Sequence, residues 1–263
     1  MVKVLETIDL SYNKFNNINL SFESSNYYLI VGSNNSGKTI LFKLLSSFIS
    51  TKNMIICNDV YLNNNSLFEY IVNLGIVERV TKNSFLYQNV IDEMIYPLYN
   101  LGYSKRKIDK RINEILELFN ETKFRDKKIN DLDYLEKQKL LIMISLLHKP
   151  KILLLDSVLE VFPHKEKNEI LNIINKLIND GLTVIEFSVS LENIIYANKI
   201  ILLDNYKIVG EYLPNKVYED DKVFYDHGLE IPFITDLSIK LKMYDVINKE
   251  YFNTKEMVDD IWP

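Results

Sequence analysis

Glycine is scarce in this chain: 7 of 263 residues, where an average usage of ~7% would give roughly 18. Two of the seven fall in one short segment, so few remain for a second glycine-rich phosphate loop. Cysteine is nearly absent. The single Cys57 excludes an internal disulfide and fits a reducing compartment. Long apolar runs are missing as well. The longest, Leu140 to Leu147, falls short of the ~18–20 residues a membrane span requires. Lys3, Glu6 and Asp9 interrupt the N-terminus, so no signal peptide is expected. There is no excess of positive charge. The net charge of −5 gives no support to nucleic-acid binding, and no nucleic-acid partner is expected. The locally basic Lys105 to Lys110 reads as the solvated face of a helix, with a contact surface as the alternative. No internal repeat is present, and the length suits one large α/β domain or one domain with subdomains.

Against this background one segment stands out, Gly32-Ser33-Asn34-Asn35-Ser36-Gly37-Lys38-Thr39. It satisfies G-x-x-x-x-G-K-[ST] without a mismatch. Tyr27 to Val31 before it reads as a buried strand, and Ile40 to Leu45 after it as a helix. That strand–loop–helix context is what a P-loop needs. Its glycines let successive N–H groups face inward, and the helix N-terminus adds its own donors, so phosphate oxygens are cradled. Lys38 would reach the β- and γ-phosphates, and the Thr39 hydroxyl would hold Mg²⁺. The plain alternative is a tight turn that happens to contain Gly-Lys-Thr.

Along the rest of the chain, residues 2–22 suggest strands with Val4, Ile8, Leu10, Ile18, Leu20 and Phe22 facing inward. A helix is expected over 38–48, and short strands at 53–57 and 73–77. From about 88 to 148 the pattern is helical. Ser104 is a candidate N-cap, ahead of a stripe of Ile108, Ile112, Ile115, Leu116 and Phe119. Lys151 to Asp156 is an apolar run ending in an acid, as a parallel strand covered on both faces reads. A helix follows, with Ile170, Leu171, Ile173, Ile174, Leu177 and Ile178 on one side and Gly181 at its end. Leu182 to Phe187 and Lys199 to Leu203 are two more buried strands, and the tail after Pro214 is helical. This order implies a mostly parallel sheet with helices on both faces.

A P-loop near residue 35, a helical insert and a strand ending in Asp about 120 residues later resemble the layout of an ABC-type ATPase. The chain is most similar to the ATP-binding subunits of energy-coupling factor transporters. Val90 to Met94, Tyr96-Pro97-Leu98 and Asn100-Leu101-Gly102 resemble the helical subdomain of that subfamily. Gly228 to Pro232, Leu237, Leu241 and Ile261-Trp262 resemble its C-terminal extension. The resemblance implies an α/β P-loop NTPase core of the ABC ATPase type. An antiparallel β subdomain, a helical subdomain at about 80–148 and a helical extension over 214–263 would complete it, with 1–213 forming the nucleotide-binding domain. Tyr12 lies where the family keeps an aromatic that stacks on adenine, although plain core or surface packing also suits a tyrosine there. Asp156 falls at the family's Walker B position, holding the Mg²⁺ shell with Thr39, and otherwise reads as a strand-end cap.

The departures from the family carry the functional expectation. Ser157 stands where the catalytic Glu belongs, and Ser is no base toward water at neutral pH. Losing a positioned general base typically costs about 10²–10⁴ in rate. Val189 stands at the switch His, Arg79 at the Gln that links Mg²⁺ or attacking water to the membrane partner, and Pro163 at the D-loop Asp. The signature Ser-Gly-Gly has become Asp133-Tyr134-Leu135, which sets a carboxylate and two side chains toward the partner's γ-phosphate. At ~4 Å and an effective dielectric of ~20, each unit of like charge costs on the order of 4 kcal/mol. Locally, Asp133-x-x-Glu136 also reads as a capping box for a helix over 134–148.

The expected protein is therefore a MgATP-binding subunit with little or no hydrolysis and no catalytic residues of its own. It would sit peripherally on the cytoplasmic face of the membrane, paired with a second, different ATP-binding subunit and with transmembrane coupling and substrate-binding subunits. The rivals are a soluble nucleotide-binding regulatory or scaffold protein, and a P-loop kinase sharing only the core.

Overall fold

Both faces of the central strands are apolar, and that dictates the architecture. In β3 (Tyr27–Val31) every residue is buried, with Tyr27, Leu29 and Val31 facing one core and Tyr28 and Ile30 the other. The structure is a computed structural model, and it describes residues 2–51, 54–219, 221–249, 251 and 254–261. Two hairpin strands, β1 (Lys3–Tyr12) and β2 (Phe15–Glu23), precede β3. The later strands are β4 (Ile55–Cys57), β5 (Val60–Tyr61), β6 (Leu74–Val77), β7 (Ile152–Asp156), β8 (Thr183–Ser188), β9 (Lys199–Asp204) and β10 (Lys207–Tyr212).

A six-stranded sheet runs in the order β10-β9-β3-β8-β7-β6, parallel except for the β9–β10 hairpin. A separate antiparallel sheet runs β2-β1-β4-β5. The helices are α1 (Lys38–Leu45), α2 (Leu67–Ile71), α3 (Val90–Asn100), α4 (Lys105–Leu118), α5 (Tyr134–Leu146), α6 (His164–Asn179), α7 (Asp221–Asp226), α8 (Phe233–Met243) and α9 (Thr254–Ile261).

Helices lie on both faces of this sheet, as the strand–helix order implied. Side chains of α3, α4, α5 and α6 cover one face, while the other is shared by α1 and the antiparallel sheet. The stripe of α4 (Ile108, Ile112, Ile115, Leu116) and the following Phe119 are buried, and its basic residues Lys105 to Lys107 and Lys110 are exposed. Ser104 occupies the N-cap position of α4 but makes no side-chain capping bond. Gly181, in the left-handed region, follows α6 directly.

Two local expectations fail for identifiable reasons. Ile8 is exposed rather than inward, because the register of β1 slips between Thr7 and Leu10 and Asp9 takes φ 47. Such a bulge shifts the alternation, and Thr7 takes the buried position instead. The helix after the P-loop stops at Leu45 rather than 48. Ser46 caps it, and Ser47 turns left-handed with φ 60. In the tail, Phe224, Leu229 and Ile231 join the main core, while Ile247, Tyr251 and Met257 form a small cluster against Leu237, Leu241 and Ile261. Trp262 lies outside the described residues.

The consequence for function is positional. The segments after β3, β8, β7 and β6 leave neighbouring strands at their carboxyl ends, where open α/β sheets bind ligands. Those segments carry the P-loop, Val189, Ser157 and Arg79.

Candidate nucleotide site

Backbone fit explains the first glycine of the loop. A Cβ on Gly32 would sit 2.2 Å from the carbonyl oxygen of Leu203 at the end of β9, closer than any side chain tolerates. Gly37 takes φ 111, which only glycine adopts without strain, and it leads into α1. The leading N–H groups of a helix lack intrahelical partners and carry its positive dipole end. The buried Lys38 ammonium folds back over the loop, donating to Gly32 O at 2.5 Å, Ser33 O at 2.9 Å and Ser36 Oγ at 3.3 Å. Burial holds Lys38 below the ordinary lysine range, opposed by the carboxylates of Asp156 and Glu160. An anion at the loop would act in the opposite direction and favour the charged ammonium.

The loop opens onto two adjoining compartments. The larger, about 710 Å³, is lined by Asn34, Thr39, Arg79, Asp156, Ser157, Glu160 and Val189 among others. The smaller, about 360 Å³, is lined by Asn34, Asn35, Gly37, Lys38, Thr39, Ile40, Ser157, Val189 and Tyr206. Thr39 and Asp156 line the same compartment, and the Thr39 hydroxyl favours the ionised form of Asp156. Burial, and then the charge of Glu78, push the Asp156 carboxyl above its usual range. A hydroxyl and a carboxylate, with further carboxylates of Glu78 and Glu160 lining the cleft, are hard oxygen donors that suit Mg²⁺. No denser metal-binding cluster occurs among the described residues.

Glu160 is the residue the sequence reading passed over. It lies on the turn after β7, and its carboxylate gathers three strand ends. Arg79 donates to Glu160 Oε2 at 2.6 Å, while Ser188 Oγ and the Val189 N–H donate to Glu160 Oε1 at 2.8 and 3.0 Å. Arg79 Nε also donates to the carbonyl of Ser157 at 2.6 Å. Ser157 itself is left-handed, with φ 54, and its N–H is held by Phe187 O. A second overlooked residue is Gln138 on α5, fully buried. It accepts from the Val80 N–H at 2.9 Å and donates to Glu78 O at 3.1 Å, fixing the backbone on either side of Arg79. Neither role has a local sequence signal, since both depend on contacts across 28 to 81 residues of chain.

The segment 133–135 lies away from this cleft in the single chain. The capping box is fully formed: Asp133 accepts from the Glu136 N–H at 2.8 Å, and Glu136 accepts from the Asp133 N–H at 3.0 Å. Asp133 and Tyr134 are exposed, whereas Leu135 packs partly against the helical core. Pro163 occupies the N-cap of α6. Tyr12 is half-buried, pairs with Phe15 in the β1–β2 hairpin, and lines neither compartment beside the P-loop.

The family model for ABC transporters matches residues 15–160, more than half of the chain. The chain belongs to the ABC transporter family. Among its relatives in that family, the energy-coupling factor transporter ATP-binding protein EcfA of Pediococcus pentosaceus is 28% identical over 243 residues, covering 89% of this chain and 87% of that protein. The EcfA1 protein of Oenococcus oeni is 27% identical over 271 residues, covering 99% and 98%. Among solved structures, cbiO1 from Clostridium perfringens, part of the ABC transporter complex cbiONQ, superposes with a TM-score of 0.75 at 19% identity, covering 85% of this chain and 94% of that one. The ADP conformation of the ATP-binding cassette MJ1267 gives 0.71 at 20% identity, covering 86% and 98%. At such identities the structural likeness establishes the fold, an ABC-type P-loop NTPase domain.

Proposed function

We propose that this chain is the ATP-binding subunit of an energy-coupling-factor-type ABC transporter, holding MgATP in Gly32–Thr39 and turning it over little or not at all. The observation that carries this is the loop itself: a glycine wedged against β9, a lysine folded over the loop, and a threonine lining one compartment with Asp156 at the strand ends. Phosphate oxygens would displace the loop carbonyls from Lys38, Gly37 and the start of α1 would supply further N–H donors, and Thr39 with Asp156 would hold the Mg²⁺. The ion would supply charge neutralisation between the β- and γ-phosphates.

The same cleft supports weak turnover. Ser157 offers no base, and Val189 presents an apolar side chain. Glu160, the carboxylate standing in their place, has both oxygens engaged by three protein donors, so it is tied to the cleft wall rather than aimed at a water. Arg79 is tied to Ser157 and Glu160, so it serves as a brace rather than a water-positioning group.

We assign residues 1–213 to the nucleotide-binding domain and 214–263 to a helical extension, as the small separate cluster of the tail supports. No helix among the described residues is long and apolar enough to cross a membrane. The membrane-embedded work therefore falls to coupling and substrate-binding partners, with this subunit peripheral on the cytoplasmic face. Asp133 and Tyr134, exposed at the start of α5, disfavour a homodimer in which each would face the other copy's γ-phosphate. A different ATP-binding subunit with a Ser-Gly-Gly signature would close properly over this chain's ATP.

The test is direct. A fluorescent ATP analogue with Mg²⁺ should bind the purified chain, Lys38→Ala should lose most of that binding, and phosphate release should be negligible. Equal binding by both proteins, or by neither, would end the P-loop reading. Steady turnover silenced by Lys38→Ala would end the claim of weak hydrolysis.

A further inference from the structure

We propose that the corner between α3 and α4 is a membrane-surface contact, in which Lys105, Arg106, Lys107 and Lys110 meet the phosphates of anionic lipid headgroups and Tyr99 enters the headgroup layer. The proposal rests on the peripheral placement proposed above and adds to it the part of this chain that touches lipid.

The corner is bare. Tyr99, at the end of α3, is largely exposed, and so are Lys105, Arg106, Lys107 and Lys110. Gly102 between the two helices is left-handed, and a Cβ there would meet nothing within 4 Å. The charge is one-sided. Between Lys105 and Arg111 stand five basic residues and one acidic residue, Asp109. Asp109 is already taken by Arg125, which donates to its carboxylate at 2.5 Å and to Asn113 Oδ1 at 2.7 Å. Arg111 is turned inward onto the carbonyls of Leu146 and Leu147. Lys110 lies 3.8 Å from Glu114, a loose pair at the surface. Lys105, Arg106 and Lys107 form no ion pair among the described residues.

The stability of α4 does not account for these cations. A helix favours acids in its first turn and bases in its last, because its N-terminal end is the positive end of its dipole. In α4 the first turn carries three cations and no acid, and the last turn carries no base. The cations therefore repel one another and the helix end, and an external anionic surface relieves both repulsions. A lipid surface suits the corner better than a nucleic acid does. The chain as a whole carries a net charge of −5, so a polyanion extending past the corner would be repelled, whereas a projecting corner touches a plane alone. The aromatics beside the cations are tyrosines. Tyr96 is exposed one turn before Tyr99 on α3, and Tyr87 packs beside it with ring centroids 5.6 Å apart. A tyrosine, with an apolar ring and a polar tip, suits the level of lipid headgroups. Each lysine or arginine near an anionic leaflet adds attraction that fades within a Debye length.

The experiment is co-sedimentation of the purified full chain with phosphatidylcholine vesicles, with and without phosphatidylglycerol. At low salt the wild type should partition roughly tenfold or more in favour of the anionic vesicles, and high salt should abolish the preference. Lys105→Gln, Arg106→Gln and Lys107→Gln combined should bind anionic vesicles no better than neutral ones. Lys165→Gln, Lys176→Gln and Lys207→Gln combined, which remove three exposed cations elsewhere, should bind as wild type does. All of these substitutions lie on exposed positions, and circular dichroism should show both variants folded. Tyr99→Ser should weaken vesicle binding about threefold, and no change would remove Tyr99 from the contact. Equal binding of the wild type to both kinds of vesicle would overturn the proposal. So would an equal loss in the two triple variants, which would make the attraction a matter of overall charge. Binding to a short DNA duplex that is lost in the Lys105 to Lys107 variant, with no preference for anionic vesicles, would give the corner to nucleic acid instead. The peripheral placement is tested apart from the corner. From native membranes the chain should co-purify with membrane-spanning partners, and its failure to do so would end the placement whatever the vesicles show.

Discussion

Glu186 should make this protein less stable as the solution becomes more alkaline. It lies on β8 between strands on both sides, fully buried, accepting the Tyr27 hydroxyl at 2.6 Å and the Asn193 amide at 2.8 Å. Burial pushes its carboxyl up to about 7 from an ordinary 4.5, outweighing the two hydrogen bonds that favour the ion. Below about 4.5 the folded and unfolded chains both hold the proton, and this group contributes no pH dependence. Between about 4.5 and 7 the unfolded chain releases it while the folded chain keeps it, so stability falls as pH rises. Above about 7 the loss is complete. At ~1.4 kcal/mol per unit, the difference amounts to roughly 3 kcal/mol, a large share of a typical domain's margin. Glu186→Gln keeps the shape and both partners without the titration. Urea unfolding of wild type and variant from pH 5 to pH 8 should show their stability difference moving by about this amount in favour of the variant. Comparing the two removes the other carboxylates, such as Glu114 and Glu136, whose depressed values act in the opposite direction. Parallel pH profiles for the two proteins would refute the reasoning.

Three further outcomes follow from the site. Asp133→Ala should destabilise the chain by about 1 kcal/mol through loss of the capping box, measurable by denaturant unfolding, and leave MgATP affinity of the isolated chain unaltered. Ser157→Glu alone should not restore phosphate release, because Val189 remains apolar and a Glu there would have to adopt the left-handed backbone that Ser157 shows; steady turnover in that variant would contradict the assignment of the cleft. Replacing Asp133-Tyr134-Leu135 by Ser-Gly-Gly should strengthen MgATP-dependent self-association in sedimentation, whereas the native chain should remain largely unpaired without a different partner.

The fold was legible where the information was contiguous. Tyr27 to Thr39 carries strand, loop and helix start in one stretch, and Ile152 to Asp156 announces a buried parallel strand by its lack of alternation. Arg79, Ser157 and Val189 were located through the resemblance to the family, and each directly follows, or lies within two residues of, a strand end. Residues whose placement depends on three-dimensional closure were not legible. Glu160 reads as an ordinary surface glutamate until β6, β7 and β8 bring Arg79 and Ser188 to it. Tyr206 follows an asparagine in what looks like a plain turn, and only the β9–β3 pairing carries it to the P-loop. The missed bulge at Asp9 has the same origin. Alternation predicts faces only while the register holds, and nothing in Ile8-Asp9-Leu10 marks where it slips.

Gln138 has a mechanical consequence. Its side chain grips the peptide on both sides of Arg79, so α5 and the floor of the nucleotide cleft are fastened together. The helical layer cannot tilt over the sheet without dragging Arg79 away from Glu160 or breaking two partly buried hydrogen bonds, each worth about 0.5–1.5 kcal/mol. A shift of the cleft floor on filling would therefore reach Asp133, one residue before the same helix begins, and by reciprocity a partner pressing on that end would act back on the cleft. A chain that held a nucleotide without turning it over would still serve as a lever, transmitting occupancy as position.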